Sequence, residues 1–138
     1  MTEKSLRERR QRPRVLVIDD EPSVVATLRR ILGKRFDVVG MQSGREALAL
    51  LGSDDAFDLV LCDLMMPDLT GMELYDQVAL SHPELLPRFV FVTGGGTTLR
   101  AREFLAHVPG PRIDKPFLPE QILGLAEQLL TTPGLLNL

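Results

Sequence analysis

With 138 residues, of which 44% are apolar, 25% charged and only 5% aromatic, the chain has the make-up of one ordinary globular domain. Its net charge of −3 is unevenly spread: residues 1–14 hold six basic side chains (Lys4, Arg7, Arg9, Arg10, Arg12, Arg14) against Glu3 and Glu8, so a basic arm over 1–13 precedes an acidic domain. The single Cys62 excludes an internal disulfide, no zinc-type Cys/His spacing exists, the first residues lack a secretory apolar stretch, and no apolar run reaches the roughly 18 residues of a membrane span. These absences predict a cytoplasmic protein with no membrane partner. The arm has no aromatic residue to stack on bases and no helix-turn-helix pattern after it, which argues for a solvated tail or linker and against nucleic acid as a partner.

From Arg14 onward, short continuous apolar runs alternate with helical patterns, as in a buried parallel sheet. The predicted strands are Arg14 to Ile18, Phe36 to Met41, Leu59 to Cys62, Phe89 to Val92, and a short fifth at Arg112 and Ile113. After the first run, Pro22 to Leu32 repeats apolar residues at helical spacing and stops at Gly33. Ser43 is the expected N-cap of a second helix, with Glu46 completing a capping box, Leu51 as its end and Gly52 as its stop. Gly71 to Leu80, Thr98 to His107 and Pro119 to Leu130 supply the third, fourth and fifth, and an apolar tail covers 131–138. Five β-α units predict an α/β fold, an open doubly wound sheet with right-handed crossovers, whose site lies beyond the carboxyl ends of its strands.

The residues at those ends are Asp19, Asp20 and Glu21 after the first run, Asp63 after the third, Thr93 after the fourth and Lys115 after the fifth. A parallel sheet converges them, so Asp19, Asp20 and Asp63 should crowd together, and a hard divalent cation relieves that repulsion. Mg²⁺ suits a site that offers two or three protein oxygens and leaves the remaining positions to water. Lys115 can pair with an anion beside the metal, Thr93 can donate a hydroxyl, and the backbone amides of Gly94 to Gly96 can approach an oxyanion. Such a set fits a phosphoryl group on a carboxylate, with Asp63 as the acceptor. Cys62, inside an apolar run, reads as a small buried hydrophobe, and Met65, Met66 and Met72 read as packing residues. His82 and His107 read as helix-end residues without a metal pattern.

The strings Val15-Leu-Val-Ile-Asp-Asp-Glu-Pro22 and Leu61-Cys-Asp-Leu-Met-Met-Pro-Asp-Leu-Thr-Gly-Met72, with Thr93-Gly94 and Lys115-Pro116-Phe117, resemble the receiver domain of two-component response regulators over about Arg14 to Leu130. The resemblance implies a flavodoxin-like sheet of order 2-1-3-4-5 with five helices, in a receiver domain over 14–130. It implies Asp63 as phospho-acceptor, Asp20 bound directly to Mg²⁺, Asp19 bound largely through water, and the backbone carbonyl of Met65 as a further ligand. Thr93 would bond one phosphoryl oxygen and Lys115 would neutralise another; the Lys115-Pro116 bond would be cis. Many receivers carry Tyr or Phe three residues before the lysine as half of their switch, and this chain has Arg112 there. The stretches around Phe89 to Gly96, Arg100 to Leu105 and Pro111 to Phe117 are similar to receivers fused to hybrid sensor histidine kinases, although Met1 also suits a stand-alone regulator.

The expected function is that of a phosphoacceptor taking a phosphoryl group from a histidine kinase or histidine phosphotransfer protein, not that of an enzyme in its own right. No output domain fits after Leu130, so output is expected through protein contacts, the arm or a parent chain. An Mg²⁺-dependent phosphohydrolase working through an aspartyl phosphate is the alternative from the enzyme class. It normally needs an Asp-x-Asp pair after the first strand, whereas the acids here are adjacent. A phosphorylation-independent interaction domain is the third reading, disfavoured by the full set Asp19, Asp20, Asp63, Thr93 and Lys115.

Overall fold

The computed structural model describes residues 12–94 and 98–131. The arm and the apolar tail therefore lie almost wholly outside the described residues, as do Gly95 and Gly96. Five strands, β1 (Arg14–Ile18), β2 (Asp37–Met41), β3 (Leu59–Asp63), β4 (Phe89–Thr93) and β5 (Arg112–Asp114), form one sheet in the order β2-β1-β3-β4-β5. Every pairing is parallel. The helices are α1 (Pro22–Leu32), α2 (Gly44–Ser53), α3 (Gly71–Ser81), α4 (Leu99–His107) and α5 (Pro119–Thr131).

The central strands are apolar on both faces because helices cover both. On one face Leu16, Ile18, Val60, Cys62 and Phe91 pack against α2, α3 and α4 through Ala47, Leu51, Leu74, Val78 and Ala101. On the other, Val15, Val17, Leu61, Val90 and Val92 meet Val25 and Leu28 of α1 and Ile122 and Ala126 of α5. This alternation along each strand, with two helices on one side and three on the other, follows from the period-2 side-chain geometry of the strands.

Local signals explain most boundaries. Ser43 caps α2 by accepting from the Glu46 N–H at 3.0 Å, but the helix runs through Gly52 to Ser53, and Asp54 closes it. Gly52 meets nothing within 4 Å where a Cβ would stand; Gly at a helix position costs stability without forcing a stop. Thr70 and Glu73 form a reciprocal capping box at the start of α3, which sequence reasoning missed. It also missed a 3₁₀ turn at Pro83–Arg88, where two prolines flank a short apolar pair. Phe36 stands just before β2, its N–H bonded to Leu32 O, and fills the core under α1. Arg14, the first residue of β1, ties the strand to its surroundings: its guanidinium pairs with Asp54 at 2.8 Å and stacks 4.3 Å from the Phe57 ring centroid.

Candidate functional site

Asp19, Asp63, Thr93 and Lys115 meet at the carboxyl ends of β1, β3, β4 and β5. Asp19 extends the ladder past β1, its N–H donating to Met41 O at 3.1 Å. Its Oδ1 accepts the Glu21 N–H at 3.0 Å, a side-chain turn that steers the chain into α1, where Pro22 stands in the first turn. Its Oδ2 lies 2.7 Å from Lys115 Nζ. Asp63 ends β3, nearly buried, with Oδ1 3.8 Å from the same ammonium and 3.4 Å from the Met65 N–H. Thr93 is buried at the end of β4, and its carbonyl accepts the Lys115 N–H at 2.7 Å, which sets the base of the lysine. The Lys115-Pro116 bond is cis, as the resemblance implied.

The loop after β3 must fold back on the strand end, and Gly71 makes this possible. Its N–H donates to Leu64 O at 2.9 Å, and a Cβ on it would stand 2.2 Å from Asp63 O. Asp68, with φ of 70°, turns the same loop in the left-handed region, and its carboxylate pairs with Arg45. Nothing in the sequence reading assigned Gly71 this role; its signal was a glycine at a helix start eight residues after Asp63. Met66 and Met72 are buried as expected, whereas Met65 is 43% exposed beside the site. Its backbone N–H addresses Asp63 Oδ1 at 3.4 Å. Cys62 is buried, its thiol donating to Asp63 O at 3.3 Å, and burial first, then the charges of Asp63 and Asp19, pushes that thiol's pKa up. It has the character of a packing residue.

Electrostatics mark the pocket as strained in charge. Burial, reinforced by the negative charge of Asp19, pushes the Asp63 carboxyl up to about 7, against the opposing pull of Lys115 and the Met65 N–H. Burial lowers the Lys115 ammonium, yet its hydrogen bond to Asp19 and the charges of Asp63 and Asp19 outweigh it and the net shift is upward. Carboxylate oxygens of Asp19, Asp20 and Asp63 lie within 4.8 Å of one another. Three carboxylates against one ammonium leave an excess of negative charge, and the donors are all hard oxygens, as a small hard cation requires.

Residues 15–127 match the profile of the response regulator receiver domain. The chain belongs to this family. Receiver domains are phosphoacceptor modules of two-component signalling rather than enzymes turning over a free substrate. The chain is 37% identical to the response regulator MprA of Mycolicibacterium vanbaalenii over 87% of its own length and 52% of that protein. It is 30% identical to the two-component response regulator ORR5 of Oryza sativa, covering 89% of this chain and 92% of the rice protein. It also spans a quarter of the hydrogenase transcriptional regulatory protein HoxA of Cupriavidus necator, at 34% identity. The chain thus spans about a quarter of HoxA and about half of MprA. These relatives are described as regulators, so the likeness to hybrid-kinase receivers draws no support from them. Among solved structures, a CheY-like receiver domain protein from Methanospirillum hungatei superposes with a TM-score of 0.74 at 27% identity, over 86% of this chain and 94% of that one. Of the described residues, no helix is long and apolar enough to cross a membrane.

The position where the resemblance leads one to expect an aromatic carries Arg112. Arg112, on β5, is exposed. Its register partner Phe91 packs instead in an aromatic cluster, with Tyr75 of α3 and Phe104 of α4 at centroid distances of 5.7 and 5.4 Å. Tyr75 meets Phe89 and Phe104 edge-on at 5.5 and 5.4 Å. The aromatic mass under α4 therefore comes from α3, α4 and β4, not from β5.

Proposed function

We propose that Asp63 is the phosphoryl acceptor of this receiver, that Asp19, Asp20, Asp63 and the Met65 carbonyl hold Mg²⁺, and that Thr93 and Lys115 bind the transferred group. The receiver unit is taken as residues 14–130, with the arm and tail as flanking segments. One observation carries the reading: a single ammonium, Lys115 Nζ, stands 2.7 Å from Asp19 and 3.8 Å from Asp63, beside three carboxylates whose oxygens lie within 4.8 Å. When bound, Mg²⁺ would neutralise charge on the carboxylates and on the incoming phosphoryl oxygens.

A carboxylate oxygen of Asp63 attacks phosphorus, the P–N bond to a partner's phosphohistidine breaks, and its electron pair leaves with the imidazole nitrogen. Lys115 offers its ammonium to one phosphoryl oxygen and Thr93 its hydroxyl to another. Charge-assisted bonds of this kind contribute roughly 1.5–3 kcal/mol each. The donor is a histidine kinase or histidine phosphotransfer protein, and water later hydrolyses the acyl phosphate. The test is incubation of the full chain with Mg²⁺ and acetyl phosphate, followed by intact-mass measurement. The unsubstituted protein gains the mass of one phosphoryl group and Asp63→Asn does not; an adduct that persists in Asp63→Asn refutes the assignment.

A further inference from the structure

At the opposite pole of the sheet, before β3 and β4, a second group of donor side chains comes together. Asp55 lies in the connection from α2 to β3. His82 closes α3, its N–H donating to Val78 O at 2.7 Å, and Pro83 then turns the chain into the 3₁₀ segment that carries Glu84. His82 Nδ1 stands 3.5 Å from Asp55 Oδ2 and 3.4 Å from Glu84 Oε1. All three donor atoms lie within 4.8 Å of one another. Asp54 and Asp58, the neighbouring acids, are engaged by Arg14, the first through its guanidinium and the second through its backbone N–H at 2.8 Å. Asp55 is left facing α3.

The geometry points to a second cation site, built from Asp55, His82 and Glu84, for a borderline transition metal of the Zn²⁺ type. Hydrogen bonding accounts poorly for the arrangement. One ring nitrogen carries at most one proton, yet two carboxylate oxygens address it, both beyond the ~3.2 Å limit of a good N–H···O bond. The same separations suit ligands sharing one ion. Metal–ligand bonds of about 2.0–2.2 Å in tetrahedral geometry put neighbouring donors roughly 3.4 Å apart. An imidazole nitrogen with two carboxylates is a mixed N/O set, which favours Zn²⁺ and its neighbours over Mg²⁺ or Ca²⁺, whose preference is for oxygen alone. The two acids match the charge of a divalent ion, and the exposed side of Glu84 leaves the fourth position to water. An ion held there would tie the α2–β3 connection to the end of α3. The length of β3 separates this site from Asp63, so the two stand or fall independently.

The test titrates the full ¹⁵N-labelled chain with Zn²⁺ in excess Mg²⁺ and follows the ring nitrogens of its two histidines by NMR. His107, whose Nδ1 sits 2.7 Å from Glu103 O on the exposed face of α4, is the internal reference. The expected result is a saturable shift of the His82 ring at one Zn²⁺ per chain with His107 unmoved. The near-isosteric Asp55→Asn and Glu84→Gln substitutions should each weaken it by about tenfold or more, and Asp63→Asn should leave it unchanged. A His82 ring unmoved by millimolar Zn²⁺, equal shifts at both histidines, midpoints unaffected by the carboxylate substitutions, or loss of the response in Asp63→Asn would each overturn the proposal.

Discussion

Asp19 and Asp20 are neighbours in sequence with different duties. Both oxygens of Asp19 are engaged, one by the Glu21 N–H and one by Lys115 Nζ, whereas Asp20 lies farther out, less buried than Asp19 or Asp63. A carboxylate already accepting two bonds has less lone-pair density to give a metal directly. Asp20→Ala should therefore weaken Mg²⁺ binding by about tenfold or more, and Asp19→Ala by less, in calorimetric titration of each variant. A larger loss for Asp19→Ala would reverse the assignment of direct and water-mediated ligands. Lys115→Ala should spare Mg²⁺ binding while slowing acyl phosphate formation, since in the proposed reaction its ammonium, now beside Asp19 and Asp63, would meet a phosphoryl oxygen.

The loop from β3 to α3 is the element on which the geometry of Asp63 rests. Its return depends on Gly71, where an added Cβ would meet Asp63 O at 2.2 Å and Leu64 Cα at 3.0 Å, both backbone atoms that cannot swing aside. Gly71→Ala should cost about 1–3 kcal/mol, as overpacked sites do, and should lower phosphorylation by displacing Asp63. Gly52→Ala is the matched control, because its Cβ meets nothing within 4 Å and the position is helical. That change should stabilise by about 0.5–1 kcal/mol. Urea unfolding of the two variants gives opposite signs under this account. The capping box adds a smaller contribution: Thr70→Ala removes the bond from the Glu73 N–H and should cost about 1 kcal/mol.

For the molecule as a whole, the carboxyl of Asp63 links stability to pH and to metal. Its pKa in the fold, about 7, is raised from the ordinary 3.8, so the folded state favours the protonated form. The corresponding stabilisation is fully present below the ordinary value and is lost as pH rises toward 7. Above that, metal-free protein carries an ionised, buried carboxylate beside Asp19. Mg²⁺ held as proposed would compete with the proton for Asp63 and relieve the repulsion, so its stabilising effect should grow as pH rises. The increase in Tm produced by Mg²⁺ should be larger at about pH 8 than at about pH 6, and in Asp63→Asn most of that difference should vanish. Scanning calorimetry with and without Mg²⁺ at the two pH values checks both statements.

Strand runs, helix spacing and the convergence of the strand-end residues were legible in the sequence because each rests on local periodicity and on the rule that parallel strands converge at their carboxyl ends. Asp19, Asp63, Thr93 and Lys115 come together as their positions after Ile18, Cys62, Val92 and Asp114 require. What the sequence did not carry were effects of contact across long separations. Whether Gly52 stops a helix, which acids Arg14 holds, and whether Met65 packs or is exposed depend on which atoms lie opposite, which no local pattern encodes. The same holds for His82, read as a helix end, whose carboxylate neighbour Asp55 lies 27 positions earlier and reaches it only because α2 and α3 pack on one face of the sheet. Period and propensity determine where elements begin and what each strand end offers; only the packed structure decides which side chains share a volume, because burial and charge act through space rather than along the chain.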